Sequence, residues 1–276
     1  MKRQLAVAMM ALFLWMTVGC AQALLSASAT DRQEQTIPLE QGGSLSLENV
    51  NGDVTVRAVE GHSVHLVAVK RAKALDESKA REGLSKLTVA VESSPKAISI
   101  TTRYPSSPSG MLFGAGVYLA VDYTVEVPRG TKLKLSGVNG SMDVDAPGSE
   151  VACEATNGTI RVEGAAVLSA TTVNGRIRFA ADQVGDVSST NGSVEGSLLG
   201  LAPGAGHVET VNGHVALAIP SKAALRIEAE NVNGSIRSGL PGLAAEKHSL
   251  SGNLNGGGAT LTVETVNGSI EIKSAS

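Results

Sequence analysis

Three arginines stand at the same position of a repeated sequence unit and could act on a polysaccharide. Arg161, Arg178 and Arg237 each lie three residues after an Asn-Gly pair. If the units stack, the three side chains form a basic stripe, and lyase-type chemistry needs such cations beside acids in a cleft. Acidic residues hold the same position in other units: Asp143, Glu195 and Glu271. A solvated strand face of mixed charge is therefore the simpler interpretation, and a glycan-binding or polysaccharide-active site is the alternative.

The histidines do not form a metal-binding pattern. His62 and His65 are three residues apart in a strand-like segment, which places them on opposite faces. His214 takes the place of Ser or Arg at an exposed corner. The sequence contains no calcium-binding repeat and no Ser-His-Asp or Cys-His arrangement with supporting context. We therefore predict a protein that is not an enzyme, with no catalytic residue, no metal and no cofactor.

A segment rich in Pro, Ser and Gly, residues 104–118, gathers many of the large side chains of the chain. Its candidate contact residues are Tyr104, Met111, Leu112, Phe113 and Tyr118. Long loops on a regular scaffold commonly carry binding. The alternative is that this loop folds over one end of the strands and covers an edge that would otherwise template aggregation.

Nine Asn-Gly pairs organise the elements that position these residues. Between Asn139 and Asn233 they recur every 17 to 21 residues. Eight share one pattern, in which the second and usually the fourth residue after Gly are apolar: Asn51 and Gly52, Asn139 and Gly140, Asn157 and Gly158, Asn174 and Gly175, Asn191 and Gly192, Asn212 and Gly213, Asn233 and Gly234, Asn267 and Gly268. Asn255 does not follow it. The alternation predicts strands with one buried face.

Two all-β architectures fit this repeat. Asn-Gly between alternating strands is a strong hairpin signal, but a hairpin at Asn267 would place Glu264 opposite Glu271, which is unfavourable. A parallel β-solenoid stacks one Asn-Gly turn per coil at the same corner, where Gly accommodates a positive φ and Asn tolerates it. We therefore predict a β-helix-like parallel β-solenoid over residues 36–276, with the C-terminal strand, residues 269–273, as an open edge.

One insert, at about residues 72–120, interrupts the strand pattern. From Ala72 to Lys86 the apolar spacing changes to a helical one, and Asp76, or Asp76 with Glu77, begins the helix. This is the one short helix that we predict in the mature chain.

The N-terminus is typical of an export leader. Lys2 and Arg3 precede an apolar run that is too short to span a membrane. Cleavage after Ala23 gives a free protein, whereas a lipoprotein box would leave a lipidated Cys20. We expect a leader over residues 1–23, a tether over residues 24–35, and location in the periplasm or at the outer membrane or cell surface. Cys153 is the only other cysteine, and its place in an alternating strand predicts a small buried side chain.

Composition narrows the partners. The net charge is −3 and Lys and Arg form no run, so nucleic acid is not expected. Aromatic residues make up only 3% of the chain, which favours a thin aliphatic core in a fold with many turns. The remaining partner is a protein or glycan surface, with membrane contact only through a lipid anchor at Cys20.

The order of these elements resembles a known family. An early Glu48-Asn49-Val50-Asn51-Gly52-Asp53-Val54 unit, a helix-bearing insert, the segment Val121 to Pro128 and a train of Val-Asn-Gly-Ser-Ile units are similar to the bacterial putative-adhesin family of β-strand-repeat proteins, a domain of unknown function. The resemblance covers Thr36 to Ile272. It implies a parallel β-solenoid in the cell envelope or outside the cell, with no established activity or agreed functional residues. We expect an adhesin-like interaction or scaffold module, or an assembly unit that pairs through its terminal edge.

Overall fold

A computed structural model describes residues 26–105, 116–200 and 204–275. In this part of the chain the structure is all-β apart from one helix, and the strands belong to one mixed sheet. The elements are β1 Ala27–Pro38, β2 Ser44–Asn51, β3 Val54–Val59, β4 Ser63–Ala74, α1 Glu77–Lys86, β5 Thr88–Ser94, β6 Ala97–Arg103, β7 Val117–Pro128, β8 Lys132–Asn139, β9 Met142–Asp145, β10 Glu150–Asn157, β11 Ile160–Asn174, β12 Ile177–Asn191, β13 Val194–Leu198, β14 Gly206–Asn212, β15 Val215–Pro220, β16 Leu225–Asn233, β17 Ile236–Ser238, β18 Leu243–Ala245, β19 Ser249–Leu254, β20 Thr260–Asn267 and β21 Ile270–Ala275.

The strands on either side of each repeated Asn-Gly pair bond to the strands of other units, not to each other. Strands that end at Asn pair in parallel in the order β2, β8, β10, β11, β12, β14, β20, β16. Strands that begin after Gly run beside them in a second parallel set that includes β3, β9, β13, β15, β21 and β17. We call each Asn-Gly unit with its two flanking strand segments a rung. The hairpin alternative is therefore wrong for these eight turns.

The order of the rungs differs from the order of the chain at the C-terminus. The rung of Asn267 lies between those of Asn212 and Asn233, because β20 pairs with β14 on one side and β16 on the other. Its second strand, β21, likewise lies between β15 and β17. The prediction of an open edge at residues 269–273 is therefore wrong. Paired on both sides, the last strand of the chain leaves fewer backbone groups unbonded than it would at an edge.

Both ends of the stack carry antiparallel strands. At one end β4 pairs with β7 and β1 pairs with β4, while β5 pairs with β6. At the other end β19 pairs with β16 and with β18. These pairings make the sheet mixed, and they occupy edges that the terminal rungs would otherwise expose.

The tether predicted over residues 24–35 is wrong from Ala27 onward. These residues belong to β1, which pairs with β4 along its full length. Polar side chains occupy both faces of this strand, so its sequence lacks the alternation that reveals the other strands. Asp31 and Lys70 stand opposite each other in the pair, with 2.6 Å between the carboxylate and the ammonium group.

The predicted helix is confirmed, and its start is the predicted one. The side chain of Asp76 accepts a hydrogen bond of 2.8 Å from the backbone N–H of Lys79, which makes Asp76 the N-cap of α1. The helix ends at Lys86, where the Leu87 N–H bonds the Leu84 carbonyl at 3.2 Å. Ala80 is its buried residue.

The inward residues of the rungs form one continuous aliphatic core. The second residue after Gly is buried in seven of the eight rungs: Val54, Met142, Ile160, Ile177, Val194, Val215 and Ile270. The eighth, Ile236, is half-buried in the last rung. Cys153 is buried in the same core, as the sequence predicts, and burial raises the pKa of its thiol to about 12.

Candidate functional site at the Asn-Gly corner

The asparagines of the eight rungs form a ladder of amide hydrogen bonds. At seven of the eight, Nδ2 donates to the Oδ1 of the asparagine in the adjacent rung, over distances of 2.8 to 3.0 Å; the exception is Asn51, at one end. The asparagine ladder runs in the order Asn51, Asn139, Asn157, Asn174, Asn191, Asn212, Asn267, Asn233. Each amide bonds an identical neighbour, so the rungs are held in register at this corner.

The glycines at this corner are required mainly by space. At seven of them, an added Cβ would lie well under 3.0 Å from the carbonyl group of the glycine in the adjacent rung, and at Gly52 it would meet the carbonyl of Val121. Only half of them also have a left-handed φ, such as Gly158 at 153°. The positive φ expected at every Asn-Gly turn is therefore absent at Gly175, Gly192, Gly213 and Gly268. Because a neighbouring backbone cannot rotate away, any side chain there would separate two rungs.

A second set of side chains lies just inside the corner, two residues before each asparagine. Thr210 Oγ1 donates to the Gly192 carbonyl at 2.8 Å, and Ser189 Oγ donates to the Gly175 carbonyl at 3.1 Å. The equivalent Thr172 is buried, but its Oγ1 has no hydrogen-bond partner among the described residues.

Outside the corner, the residue directly before each asparagine is Val or Thr. We call this set the β-branched stripe: Val50, Val138, Thr156, Val173, Thr190, Val211, Val266 and Val232. Four of the six large apolar side chains that are exposed in the described residues belong to it, with exposed fractions from 36% at Val266 to 62% at Val232. Seven spacings of about 4.8 Å give the stripe a length of about 34 Å.

A polar row runs beside the β-branched stripe, two residues earlier in each rung. The acidic row comprises Glu48, Ser136, Glu154, Thr171, Ser188, Glu209, Glu264 and Glu230, paired in register in that order. It contains five carboxylates and neither Lys nor Arg. The stripe and the row together form what we call the corner face.

Two shallow concavities lie on the corner face, one toward each end. The first, of about 610 Å³, includes Glu48, Val138 and Glu154 in its lining. The second, of about 500 Å³, is lined by Glu209, Glu264 and Glu230 together with Val232, Val266 and Lys247. Flat ladders with shallow hollows suit contact over a wide area better than enclosure of a small molecule.

A buried polar network closes one end of the ladder. Asn51 Nδ2 donates to the Leu119 carbonyl at 3.1 Å, and the Tyr104 hydroxyl accepts from the Asn51 N–H at 3.0 Å. Tyr123 and Thr102 share a hydrogen bond of 2.6 Å beside them. Burial raises the pKa values of both tyrosines to about 12, so both hydroxyls stay protonated over the physiological range.

The contacts of Tyr104 favour the capping alternative for the first end of the predicted contact loop, because this residue packs against the Asn51 end of the ladder. Tyr104 is half-buried against the end of the ladder, and Tyr118 is half-buried in β7 opposite Lys73. Met111, Leu112 and Phe113 lie outside the described residues, as does Cys20.

The predicted arginine stripe is not continuous. Arg161 and Arg178 are neighbours, but the row continues to Asp143 on one side and Glu195 on the other. Arg178 Nε donates to Glu195 at 3.0 Å. Arg237 lies apart from the other two arginines, beside Glu271. Neighbouring opposite charges largely neutralise this face.

The histidines contact scattered polar side chains, and His65 contacts two of them, with Nδ1 3.4 Å from the Thr36 hydroxyl. His65 Nε2 lies 3.4 Å from Glu34, and His214 Nδ1 lies 2.8 Å from the Ser269 hydroxyl. Among the described residues, no three His, Cys, Asp or Glu side chains are grouped so that they could hold a metal ion. Nor does the same part of the chain contain a helix with the length and apolarity needed to cross a membrane.

Sequence reasoning missed the corner face, although the sequence contains its signal. The apolar residues after each Gly indicate the core, whereas the corner face is signalled by the Val or Thr before each Asn. Because that residue directly precedes a turn on an outward-facing position, its repetition as a β-branched residue was the available clue.

No family model matches the sequence, and no curated protein does so either. Solved structures similar to it include a putative cell adhesion protein from Clostridium sporogenes (14% identity, TM-score 0.36, covering 89% of this chain and 100% of that one). A second is a putative adhesin from Bacteroides fragilis, with 10% identity, a TM-score of 0.36, and coverage of 89% of this chain and 97% of that one. A third is a putative lipid binding protein from Parabacteroides distasonis, with 8% identity, a TM-score of 0.28, and the same two coverages.

Proposed function

We propose that this chain is a non-enzymatic, exported protein of the cell envelope that acts as an adhesin-like interaction or scaffold module. The observation that carries the proposal is the corner face, on which four of the eight rungs expose a valine and five carry a carboxylate. Such a surface supplies contact area, which binding requires, without positioning reactive groups, which catalysis requires.

We infer that the rungs form a parallel β-solenoid with one Asn-Gly corner per coil. The in-register parallel pairings and the asparagine ladder support this architecture. A single coil buries too few aliphatic side chains to offset the backbone entropy that it loses on ordering. Coils are therefore stable only when stacked, and the stack presents an extended surface.

The partner that best fits the corner face is a protein surface carrying apolar side chains beside Lys or Arg. The β-branched stripe offers apolar contact, and the acidic row offers carboxylates along the same direction. Glu209, Glu264 and Glu230 are consecutive in the register. Adjacent like charges repel one another, so a cationic partner that neutralises them gains more than it would from isolated carboxylates. Contacts between exposed charges weaken as salt screens them.

The test uses a synthetic peptide of alternating Val and Lys, and the same peptide with Glu in place of Lys. We expect the Lys peptide to bind the purified protein, to bind less at high salt, and to bind less to a Val173→Ser, Val232→Ser double variant. Leu75→Ser with Leu199→Ser is the matched control, because those two leucines are also exposed but lie off the corner face. Equal binding of both peptides, or equal loss in both double variants, would contradict the proposed surface.

Export is part of the same proposal. We propose that residues 1–23 are a leader, that the chain forms a single domain from about residue 27, where β1 begins, and that the protein resides in the periplasm or at the outer membrane or cell surface. Mass spectrometry of the mature N-terminus distinguishes the two processing routes: a lipid-modified Cys20 means an anchored protein, and a free Leu24 means a soluble one. An intact Met1 in the exported fraction would argue against both.

The glycan-binding or polysaccharide-active alternative has narrower support. Arg161 and Arg178 lie in a shallow concavity of about 590 Å³ together with Glu163 and Glu195. Ion pairs already bind both arginines, Arg161 to Glu163 at 3.2 Å and Arg178 to Glu195 at 3.0 Å. An anionic polysaccharide that binds wild type but not an Arg161→Ser, Arg178→Ser variant would favour this alternative.

A further inference from the structure

The asparagine ladder has one open end, and its chemistry there differs from that of its interior. Asn-Gly is the sequence most prone to spontaneous deamidation, because Gly leaves the following backbone nitrogen free to approach the side chain. We propose that Asn233 is a site of selective deamidation, and that the ladder protects the seven other Asn-Gly pairs within it. This inference does not depend on the proposed function.

The reaction needs only water and hydroxide. Hydroxide removes the proton of the Gly234 backbone N–H, and the nitrogen then attacks Cγ of Asn233. The new N–Cγ bond closes a five-membered succinimide, while the Cγ–Nδ2 bond breaks and Nδ2 leaves as ammonia. Water then opens the ring at either carbonyl, which leaves aspartate or isoaspartate.

Hydrogen bonds oppose each step of this reaction inside the ladder. At Asn174, for example, Nδ2 donates to Asn157 at 2.9 Å, and Oδ1 accepts from Asn191 at 3.0 Å. The attacking nitrogen, that of Gly175, donates its proton to the Asn191 carbonyl at 3.1 Å. Succinimide formation there requires all three bonds to break, and the rungs on both sides restrict movement of the backbone.

The closed end of the ladder is protected in the same way. Asn51 Nδ2 donates to the Leu119 carbonyl, its Oδ1 accepts from Asn139 at 2.8 Å, and the Gly52 N–H donates to the Asn139 carbonyl at 2.9 Å. At this end the Leu119 carbonyl, in the polar network around Tyr104, therefore takes the place of the neighbouring asparagine that accepts the Nδ2 hydrogen bond elsewhere in the ladder.

The open end lacks two of the three bonds. Asn233 Nδ2 donates to Asn267 at 3.0 Å, but within the described residues nothing donates to Asn233 Oδ1. The Gly234 N–H, which is the attacking group, likewise has no acceptor there, whereas the other seven ladder glycines all donate to an asparagine carbonyl. Val232, which directly precedes Asn233, is the most exposed valine of the β-branched stripe.

Asn255 provides an internal comparison because it is the one Asn-Gly pair outside the ladder. Its Nδ2 donates to the carbonyls of Ser221 and Ala223, both at 2.8 Å, in a turn with a left-handed φ of 48°. Two bonds hold the leaving group, so we expect a rate between that of Asn233 and those of the inner pairs.

Deamidation at Asn233 would loosen the last rung. A carboxylate has no hydrogen to donate, so Asn267 Oδ1 would face an anion where it now accepts a hydrogen bond. Isoaspartate would also lengthen the backbone by one carbon. The Asn233 carbonyl, which now accepts a hydrogen bond of 2.9 Å from the Gly268 N–H, would then be displaced.

The experiment incubates the folded full chain in mildly alkaline buffer and follows each Asn-Gly peptide by mass spectrometry, with ¹⁸O water to mark hydrolysed sites. Two additional hydrogen bonds at inner pairs predict that Asn233 reacts about 10- to 100-fold faster than they do. In denaturant all nine pairs should react at similar rates, because the ladder is lost. An Asn233→Gln variant should remove the fast phase, since Gln-Gly would have to close a larger ring.

A second variant tests the ladder itself. Asn267→Ala removes the acceptor of Asn233 and the donor to Asn212 Oδ1, so deamidation at Asn212 should rise while that at Asn139 should not change. The proposal would be overturned if Asn233 deamidated no faster than the inner pairs in the folded wild type.

Discussion

Replacing Gly175 by Ala tests why the corner requires glycine. Gly175 lies at the centre of the ladder and does not have a left-handed φ. If backbone conformation were the only requirement, Ala would be tolerated, and it would stabilise the protein by about 0.4–1 kcal/mol through the unfolded state. The structure instead places the new Cβ against the carbonyl group of Gly158 in the adjacent rung. The two explanations therefore predict opposite signs.

The expected destabilisation can be assembled from its parts. Separating the two rungs weakens the Gly158 N–H to Asn174 bond of 3.1 Å and the Asn174 to Asn157 amide bond of 2.9 Å, each with a net contribution of about 0.5–1.5 kcal/mol. Forcing an additional methyl group into a packed site costs about 1–3 kcal/mol more. The sum is about 2–6 kcal/mol, and it exceeds the gain from the unfolded state.

Equilibrium unfolding in urea measures the change in the free energy of unfolding. Gly239→Ala is the matched control, because that glycine has no left-handed φ and nothing within 4 Å of its added Cβ. We expect Gly239→Ala to fall within about 0.5 kcal/mol of wild type. A Gly175→Ala protein as stable as wild type would refute the packing argument.

Three further predictions follow from individual side chains. Thr172→Val should leave the free energy of unfolding unchanged or increase it, because it removes a buried hydroxyl that has no partner among the described residues. Thr210→Val should lower the free energy of unfolding by about 1 kcal/mol, because a hydrogen bond is lost. Urea unfolding of both variants tests this difference. Cys153, with its pKa raised to about 12 by burial, should resist alkylation at neutral pH until the protein unfolds, and rapid labelling of the native protein would contradict this. The hydrogen bond and charge of Lys70 lower the pKa of Asp31, so their stabilisation is present above the unfolded pKa of about 3.9 and is lost as the pH falls through the lower folded value. Asp31→Asn should therefore cost about 0.2–1 kcal/mol at neutral pH and little in strong acid, and a cost independent of pH would count against the ion pair.

Much of the rung could be predicted from the residues after each Gly. Alternation at Ile160 and Val162, repeated in other units, indicates a strand with one buried face, and both side chains are buried. Asp76 indicates the start of the helix for an equally local reason, because its carboxylate accepts a hydrogen bond from the backbone N–H of Lys79, three residues later. Such signals are local, and they survive in a single sequence.

The failures concern contacts between distant residues. Residues 27–35 carry no alternation because β1 is polar on both faces, and only its pairing with β4 makes it a strand. The corner glycines were expected to serve φ, whereas their neighbours in the adjacent rung impose the stronger requirement. Neither fact can be derived without knowing which backbone lies beside which.

The sequence by itself determined two parts of each rung, the inward aliphatic pair and the Asn-Gly turn. Only the tertiary structure decided the order of the rungs, with Asn267 between Asn212 and Asn233. The physical reason is that the corners are nearly identical, so each asparagine can bond any other. The order is then set by how the whole chain closes its edges, and this leaves Asn233 at the open end of the ladder.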